Sequence, residues 1–274
     1  MLKALFGTDK PIIGVIHLLP LPGSPRFDGQ IESICERAEQ EAIALTTGGV
    51  DGIIVENFFD SPYKKTCLDP VTISAFTIAV KRIMALTSKP IGINCLRNDG
   101  ISALAIAVAT QAQFIRVNVL SHVMITDQGI IEGIAHELLL YRQHLGASRS
   151  VKIFADVLVK HAVPLGFNSD ITNLAADTKN RALADALIIS GQNTGTPPTL
   201  EDLKLVRNAL PDCPLLAGSG VNKNNIAQIL NIADGIIVAS SLKQQGCLEN
   251  PVDVERVREI KNTLVNSVHL IKNR

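Results

Sequence analysis

The sequence contains no tryptophan, and aromatic residues make up only 4% of its 274 residues, so it offers no platform on which unpaired bases could stack. It also lacks any charge imbalance. Lysine plus arginine and aspartate plus glutamate number 26 each, which leaves no global field to draw the chain to nucleic acid or to an anionic bilayer. Nucleic acid is therefore not an expected partner. No apolar run approaches the ~20 residues that a membrane-spanning helix needs. The run over residues 12–21 is interrupted by His17 and Pro20, and no small-residue cleavage site follows it. A soluble chain is expected. The five cysteines, Cys35, Cys67, Cys95, Cys213 and Cys247, show no CxxC or zinc-like spacing, and neither HxH nor HExxH occurs. Free thiols in a reducing cytosol follow, with Cys95, near a strand end, best read as buried filler. No metal and no cofactor is assigned; His17 with Glu56 and Asp156 is a conceivable ligand set for a divalent ion, but no spacing supports it.

What is present is apolar and regular. Hydrophobic residues reach 46% and charged ones only 19%, the balance expected when strands are buried on both faces and read as continuous apolar runs. Such runs fall at residues 11–18, 50–57, 90–96, 114–120, 151–159 and 186–190. Helical periodicity falls between them, at residues 31–47, 70–87, 100–111, 134–145, 171–183 and 200–210. Residues 213–243 add two more strands around a helix, and residues 252–272 close the chain with an apolar stripe at Val254, Val257, Ile260, Leu264 and Val268. Eight strand–helix units with no charged or proline-protected edge strand predict one (β/α)8 TIM-barrel domain over residues 1–274. Residues 121–133 form an insertion after the fourth strand, expected on the catalytic rim as a lid, a hairpin or a contact between copies in a homo-oligomer.

Chemistry in such barrels sits at the C-terminal strand ends. The seventh strand runs into Gly218, Ser219 and Gly220, and the eighth into Ser240 and Ser241. Two small-residue ends side by side let bare backbone N–H groups converge on an anion, with a Cβ at either glycine holding the backbone away. A phosphate-type site is expected, against the plainer alternative of an ordinary strand-to-helix turn, and a phosphorylated small molecule is the ligand class it implies. The other strands end in His17, Glu56 and Asn57, Asn94, Asn118, Asp156 and Ser190, and Lys160 follows the fifth. His17, Glu56 and Asp156 can transfer protons; Asn57, Asn94, Asn118, Lys160 and Ser190 are candidate ligand contacts. No spacing identifies a reaction.

Strand parity adds a constraint. Arg116 has the parity of Asn118, and Lys152 that of Asp156, so the face that carries each rim residue also carries a cation further down. If that face points inward, a buried cation needs a carboxylate, and Glu56 and Asp156 are the nearest candidates. For Lys152 alone the simpler reading is that it opens its strand in solvent.

Several segments, read together, resemble the BtpA family: GVIHLLPLPGSP at residues 14–25, DGIIVENF at 51–58, PIGINCLRND at 90–99, FIRVNV with MITDQGIIEG, ADVLVKHAVPL, and GSGV near the end. The likeness spans nearly the whole chain. It implies a (β/α)8 barrel and a part in accumulating photosystem I, with photosystem I assembly components as partners and a peripheral place on the cytoplasmic face of thylakoids. Two positions depart from the pattern of that family. Phe59 stands where a glycine commonly follows ENF, and Leu158 where a histidine often follows ADV.

Overall fold

The computed structural model describes residues 1–166 and 170–272, with side chains of the last helix described as far as Leu264. In chain order the strands are β1 (Ile12–His17), β2 (Gly52–Glu56), β3 (Ile91–Asn94), β4 (Phe114–Val117), β5 (Val123–Thr126), β6 (Gly129–Glu132), β7 (Lys152–Asp156), β8 (Ala162–Pro164), β9 (Ala186–Ile189), β10 (Leu215–Ala217) and β11 (Gly235–Val238). The α-helices are α1 (Leu2–Phe6), α2 (Ile31–Gly48), α3 (Pro70–Leu86), α4 (Gly100–Thr110), α5 (Ala135–His144), α6 (Ile171–Asn180), α7 (Leu200–Ala209), α8 (Ile226–Leu230) and α9 (Val254–Lys272).

Strands β1, β11, β10, β9, β7, β4, β3 and β2 close into a barrel in that order, every pair parallel. The expected TIM-barrel class is therefore the observed one. Expected strands run one to three residues past the observed ends, because residues just beyond the ladder, such as Asn57 and Leu120, are as buried as the ladder itself. On α9, Val257, Ile260 and Leu264 are buried against the barrel, as the stripe implies; the side chain of Val268 lies outside the described residues.

The barrel interior is filled by large residues set against absences. Phe114 and Phe154 stack with centroids 4.7 Å apart. From below, Phe6 of α1 meets Phe114 edge-on at 5.6 Å. Gly92 and Gly52 leave room for these rings: a Cβ on Gly92 would lie 2.1 Å from Phe114, and one on Gly52 2.5 Å from Phe6. Periodicity did not announce α1, because five residues are too few to show a period. It nevertheless plugs the N-terminal mouth of the barrel with Leu2 and Phe6.

At the opposite mouth, residues 121–133 carry the antiparallel hairpin β5–β6, and β8 joins it as a third strand. Both pieces follow the C-terminal ends of barrel strands, so this small sheet stands on the rim that carries the polar strand ends. Its inner face buries Met124 and Ile131 against Val119 and Val159.

Phe6→Ala should empty the space under the Phe114–Phe154 stack and lower stability by ~3–5 kcal/mol, the range for deleting a buried aromatic ring. Thermal or urea denaturation reads the loss. A change below about 1 kcal/mol would mean that the mouth of the barrel closes without α1.

Candidate functional site

The register places successive even and odd positions on opposite faces of the barrel wall. His17 pairs across from Glu56, and Glu56 from Asn94. The same parity carries Arg116, Asn118 and Asp156 inward at the C-terminal mouth. All six are nearly shut off from solvent.

Arg116 is the hub. Its Nε and Nη2 donate to the two oxygens of Asp156 at 2.9 and 3.0 Å, and its Nη1 donates to Glu56 Oε1 at 3.1 Å. This two-pronged geometry is the strong form of an arginine–carboxylate pair. Burial works against the Arg116 charge, but the attraction of Asp156 and Glu56 outweighs it and holds the guanidinium above its ordinary pKa. Asn94 donates to Glu56 Oε1 at 3.1 Å, Asn118 to Asp156 Oδ2 at 3.2 Å and Ser190 to Asp156 Oδ1 at 3.3 Å. The inward cation anticipated from strand parity is thus present, with both of the anticipated carboxylates, while Lys152 at the strand start is only half-buried.

The two carboxylates play different parts. Both oxygens of Asp156 are consumed, and its side chain is fully buried beneath the mouth. Asp156 therefore holds Arg116 and has no free oxygen for proton transfer, which corrects its place among the proton-transfer candidates. Glu56 keeps Oε2 free of hydrogen bonds among the described residues and faces the cleft. Nε2 of His17 stands 3.9 Å from that oxygen. The His17 ring stacks on Phe58 with centroids 4.2 Å apart. Burial first, then the charges of Lys243, Lys160 and Arg116, push its pKa well below the ordinary value. His17 is consequently neutral near pH 7, and its Nδ1 is buried without a hydrogen-bond partner among the described residues.

Lys160 brings its amine to the same place. It lines both a small pocket beside the β10 and β11 loops and a cleft of about 530 Å³ that opens from it. Its amine makes no hydrogen bond or ion pair among the described residues. Burial, and next the nearby Arg116, lower its pKa to about 8, with Glu56 and Asp156 pulling the other way.

The phosphate-type loops line the small pocket through Gly218, Ser219, Gly220 and Ser240. The N–H groups of Ser219, Gly220, Ser240 and Ser241 donate to no acceptor among the described residues. The hydroxyls are less available. Ser219 donates its proton to Thr196 O at 2.6 Å, and Ser241 donates to Val221 O at 2.6 Å, so both act as loop clasps; of the three serines, Ser240 alone has a hydroxyl without a hydrogen bond among the described residues. The glycines also answer to protein packing. Gly220 has φ +63°, and a Cβ there would lie 2.1 Å from Pro197 N, while one on Gly218 would lie 2.4 Å from Ile188 and Ser190.

Asn57 is a further correction. Its parity is opposite to that of Glu56, so it points out of the barrel and is fully buried. It accepts from Leu96 N–H at 2.7 Å and donates to Asp60 at 2.8 Å. That amide ties the β2 loop to the β3 loop and lines neither the small pocket nor the cleft. Of the two departures from the family pattern, Phe59 lines the cleft and stands perpendicular to the His17 ring, whereas Leu158 packs against the core. Burial pushes the Cys95 thiol up, consistent with filler.

Sequence reasoning missed Arg97, which lines the cleft, and a buried pair beside the eighth barrel strand. Lys243 Nζ lies 2.5 Å from Glu41 Oε1, each only 1% exposed, and fixes the loop after β11 to α2. A signal existed for the pair: Glu41 sits on the same helical stripe as Ile34, Ala38 and Leu45, a core position for a charge. For Arg97 no periodic signal exists, because it lies in a loop.

The chain matches the BtpA family over residues 8–266. It is 56% identical over 252 residues to the photosystem I biogenesis protein BtpA of Synechocystis sp., covering 92% of this chain and 87% of that one. It is 45% identical over 251 residues to a protein of Thermococcus kodakarensis, covering 92% and 94%. Among solved structures, (S)-3-O-geranylgeranylglyceryl phosphate synthase from Thermoplasma acidophilum, in complex with its substrate sn-glycerol-1-phosphate, superposes with a TM-score of 0.60 over 96% of each chain at 17% identity. At that identity the likeness is one of fold.

Asp156→Asn should leave Arg116 with half its countercharge and cost ~3–5 kcal/mol, the range for breaking a buried pair. Glu56→Gln keeps the Arg116–Asp156 fork and should cost clearly less. Denaturant midpoints of the two variants test the asymmetry; equal losses would contradict the hub role assigned to Asp156.

Proposed function

The chain belongs to the BtpA family, and from that premise we propose that it is a photosystem I biogenesis or stability factor acting as a receptor for a phosphorylated small molecule. Its partners on this reading are photosystem I assembly components, met at the cytoplasmic face of the thylakoid as a peripheral protein. The observation that carries the biological role is the 56% identity, over 92% of the chain, to a protein named for photosystem I biogenesis. No helix among the described residues is long and apolar enough to cross a membrane, which is compatible with peripheral attachment.

Support for the ligand class comes from the rim. Ser219, Gly220 and Ser240, whose backbone N–H groups donate to no acceptor among the described residues, line a pocket that Lys160, with its unpaired amine, also lines. Such an array stabilises an anion through fixed dipoles and one charge, without reorganisation. The buried Arg116 does not compete for the ligand, since Asp156 and Glu56 already neutralise it.

A second reading makes the protein an enzyme that performs general acid–base chemistry on a phosphorylated sugar-like metabolite. The observation favouring it is the free Oε2 of Glu56 in the cleft beside a neutral imidazole. A carboxylate placed so, next to a ring that can donate or accept, is equipped to move a proton on a bound molecule. The extent of the match to an archaeal relative is easier to reconcile with ligand chemistry than with photosystem I alone.

Thermal melts with glycerol 1-phosphate test the anion site, because a ligand that binds only the folded chain raises its melting temperature. Ser240→Asp should abolish the rise by setting a carboxylate among the N–H groups, and equal rises in wild type and variant would sink the site. Gly220 is unsuitable for this test, since any side chain there collides with the Thr196–Pro197 backbone. The rise should also shrink as the pH passes about 8, where Lys160 loses its proton, while the phosphate stays dianionic above about pH 7. Complementation of a deletion strain with Glu56→Gln, at normal abundance, separates the two readings. A receptor restores photosystem I; an enzyme fails while still binding the phosphate.

A further inference from the structure

Arg97 stands in the wall of the 530 Å³ cleft and is 94% shut off from solvent by its 6% exposure. For so buried a cation its bonding is poor. One Nη2 proton goes to the backbone carbonyl of Lys160, and no carboxylate lies within ion-pair distance among the described residues. The remaining guanidinium donors make no hydrogen bond among the described residues. Burial pushes its pKa down, opposed chiefly by the more distant Asp156 and Asp127.

The contrast with Arg116 is informative. Both arginines lie in the same mouth and are largely shut off from solvent, Arg97 at 6% and Arg116 at 4% exposure, yet Arg116 has two carboxylates and three charge-assisted bonds while Arg97 has one neutral acceptor among the described residues. An isolated buried cation is costly to maintain unless a partner arrives. The side chain that lacks a carboxylate partner lines the cleft.

The placement also separates Arg97 from the phosphate-type loops. Gly218, Ser219 and Gly220 line only the small pocket, and Arg97 only the wide cleft; Glu56, Phe58, Arg116, Lys160 and Thr194 border both. A molecule that fills the joint space meets backbone N–H donors at one end and a planar guanidinium fork at the other. We infer that Arg97 is a second anion subsite, specific for a carboxylate, so that the ligand class of this cleft is a small phosphorylated carboxylic acid. A carboxylate matches the flat fork with two parallel N–H bonds. Because Arg97 also grips the carbonyl of Lys160, engaging it steadies the segment that carries the Lys160 amine. The phosphate end of this inference rests on the anion site proposed above; the carboxylate end does not.

Calorimetric titration with three probes tests it: glycerol 1-phosphate with one anionic end, 3-phosphoglycerate with a phosphate and a carboxylate, and malonate with carboxylates alone. Wild type should bind 3-phosphoglycerate at least about tenfold tighter than glycerol 1-phosphate, and Arg97→Gln should erase that advantage, weakening glycerol 1-phosphate far less than 3-phosphoglycerate. Arg97→Lys, which keeps the charge and loses the fork, should recover only part of it. The melting temperature of unliganded Arg97→Gln should be unchanged or higher, because a costly buried charge has gone. Equal affinity of wild type for the two phosphates overturns the subsite. So does an equal loss for both in Arg97→Gln together with a lower melting temperature, which would make Arg97 a structural clasp. If the phosphate probes do not bind at all but malonate binds and Arg97→Gln abolishes it, the phosphate site fails and the Arg97 subsite stands. Malonate binding that is absent, or indifferent to Arg97, in that case overturns the subsite as well.

Discussion

A single buried guanidinium, Arg116, sets the terms for everything above it in the barrel. Its position on β4 forces two carboxylates, on β2 and β7, to converge across the barrel axis, since an uncompensated charge at that depth would cost several kcal/mol. Asp156 is wholly occupied by this duty, with Asn118 and Ser190 saturating what Arg116 leaves. Glu56 is occupied on one oxygen only. The asymmetry between two carboxylates of the same network separates a positioning group from one that can meet a ligand.

Above this layer cations and carboxylates share the cleft, Arg97 and Lys160 beside Glu56 and Asp127. Lys160 and Arg97 line the cleft with no carboxylate in ion-pair contact among the described residues, His17 is kept neutral by its surroundings, and the β10 and β11 loops line the adjoining pocket. The loops hold this arrangement through their own side chains. Ser219 and Ser241 fasten the phosphate-type loops, Asn57 fastens the β2 loop to the β3 loop, and Lys243 with Glu41 fastens the β11 loop to α2. Much of the polarity that reads as ligand-binding in the sequence is thus spent on keeping the rim rigid, which is what pre-organised recognition requires.

The candidate site was legible wherever alternation decided the answer. Parity along β4 and β7 put Arg116 and Asp156 on one face, and electrostatics then required their pairing. Where the chain left the ladder, parity no longer helped. Asn57 looked equivalent to Asn94 because each closes an apolar run, yet one more residue of strand turns a side chain to the opposite face. The hydroxyls of Ser219 and Ser241 looked like ligand donors because the carbonyls that accept them, Thr196 and Val221, belong to other parts of the rim. Arg97 gave no sign because its meaning lies in what fails to surround it.

By itself the sequence determined the barrel, its eight strand–helix units and the rim on which polar strand ends gather, because these follow from apolar period and from the rule that strands buried on both faces leave no exposed edge. It also determined that a buried cation must find a carboxylate. Only the tertiary structure decided which oxygen of which carboxylate stays free, which glycine serves a neighbouring backbone and which cation is left without a partner. Those outcomes depend on distances of a few ångströms between segments far apart in the chain, such as Arg116 and Asp156 at 40 residues' separation or Lys243 and Glu41 at 202. No local pattern encodes such a meeting, because it exists only once the barrel has closed.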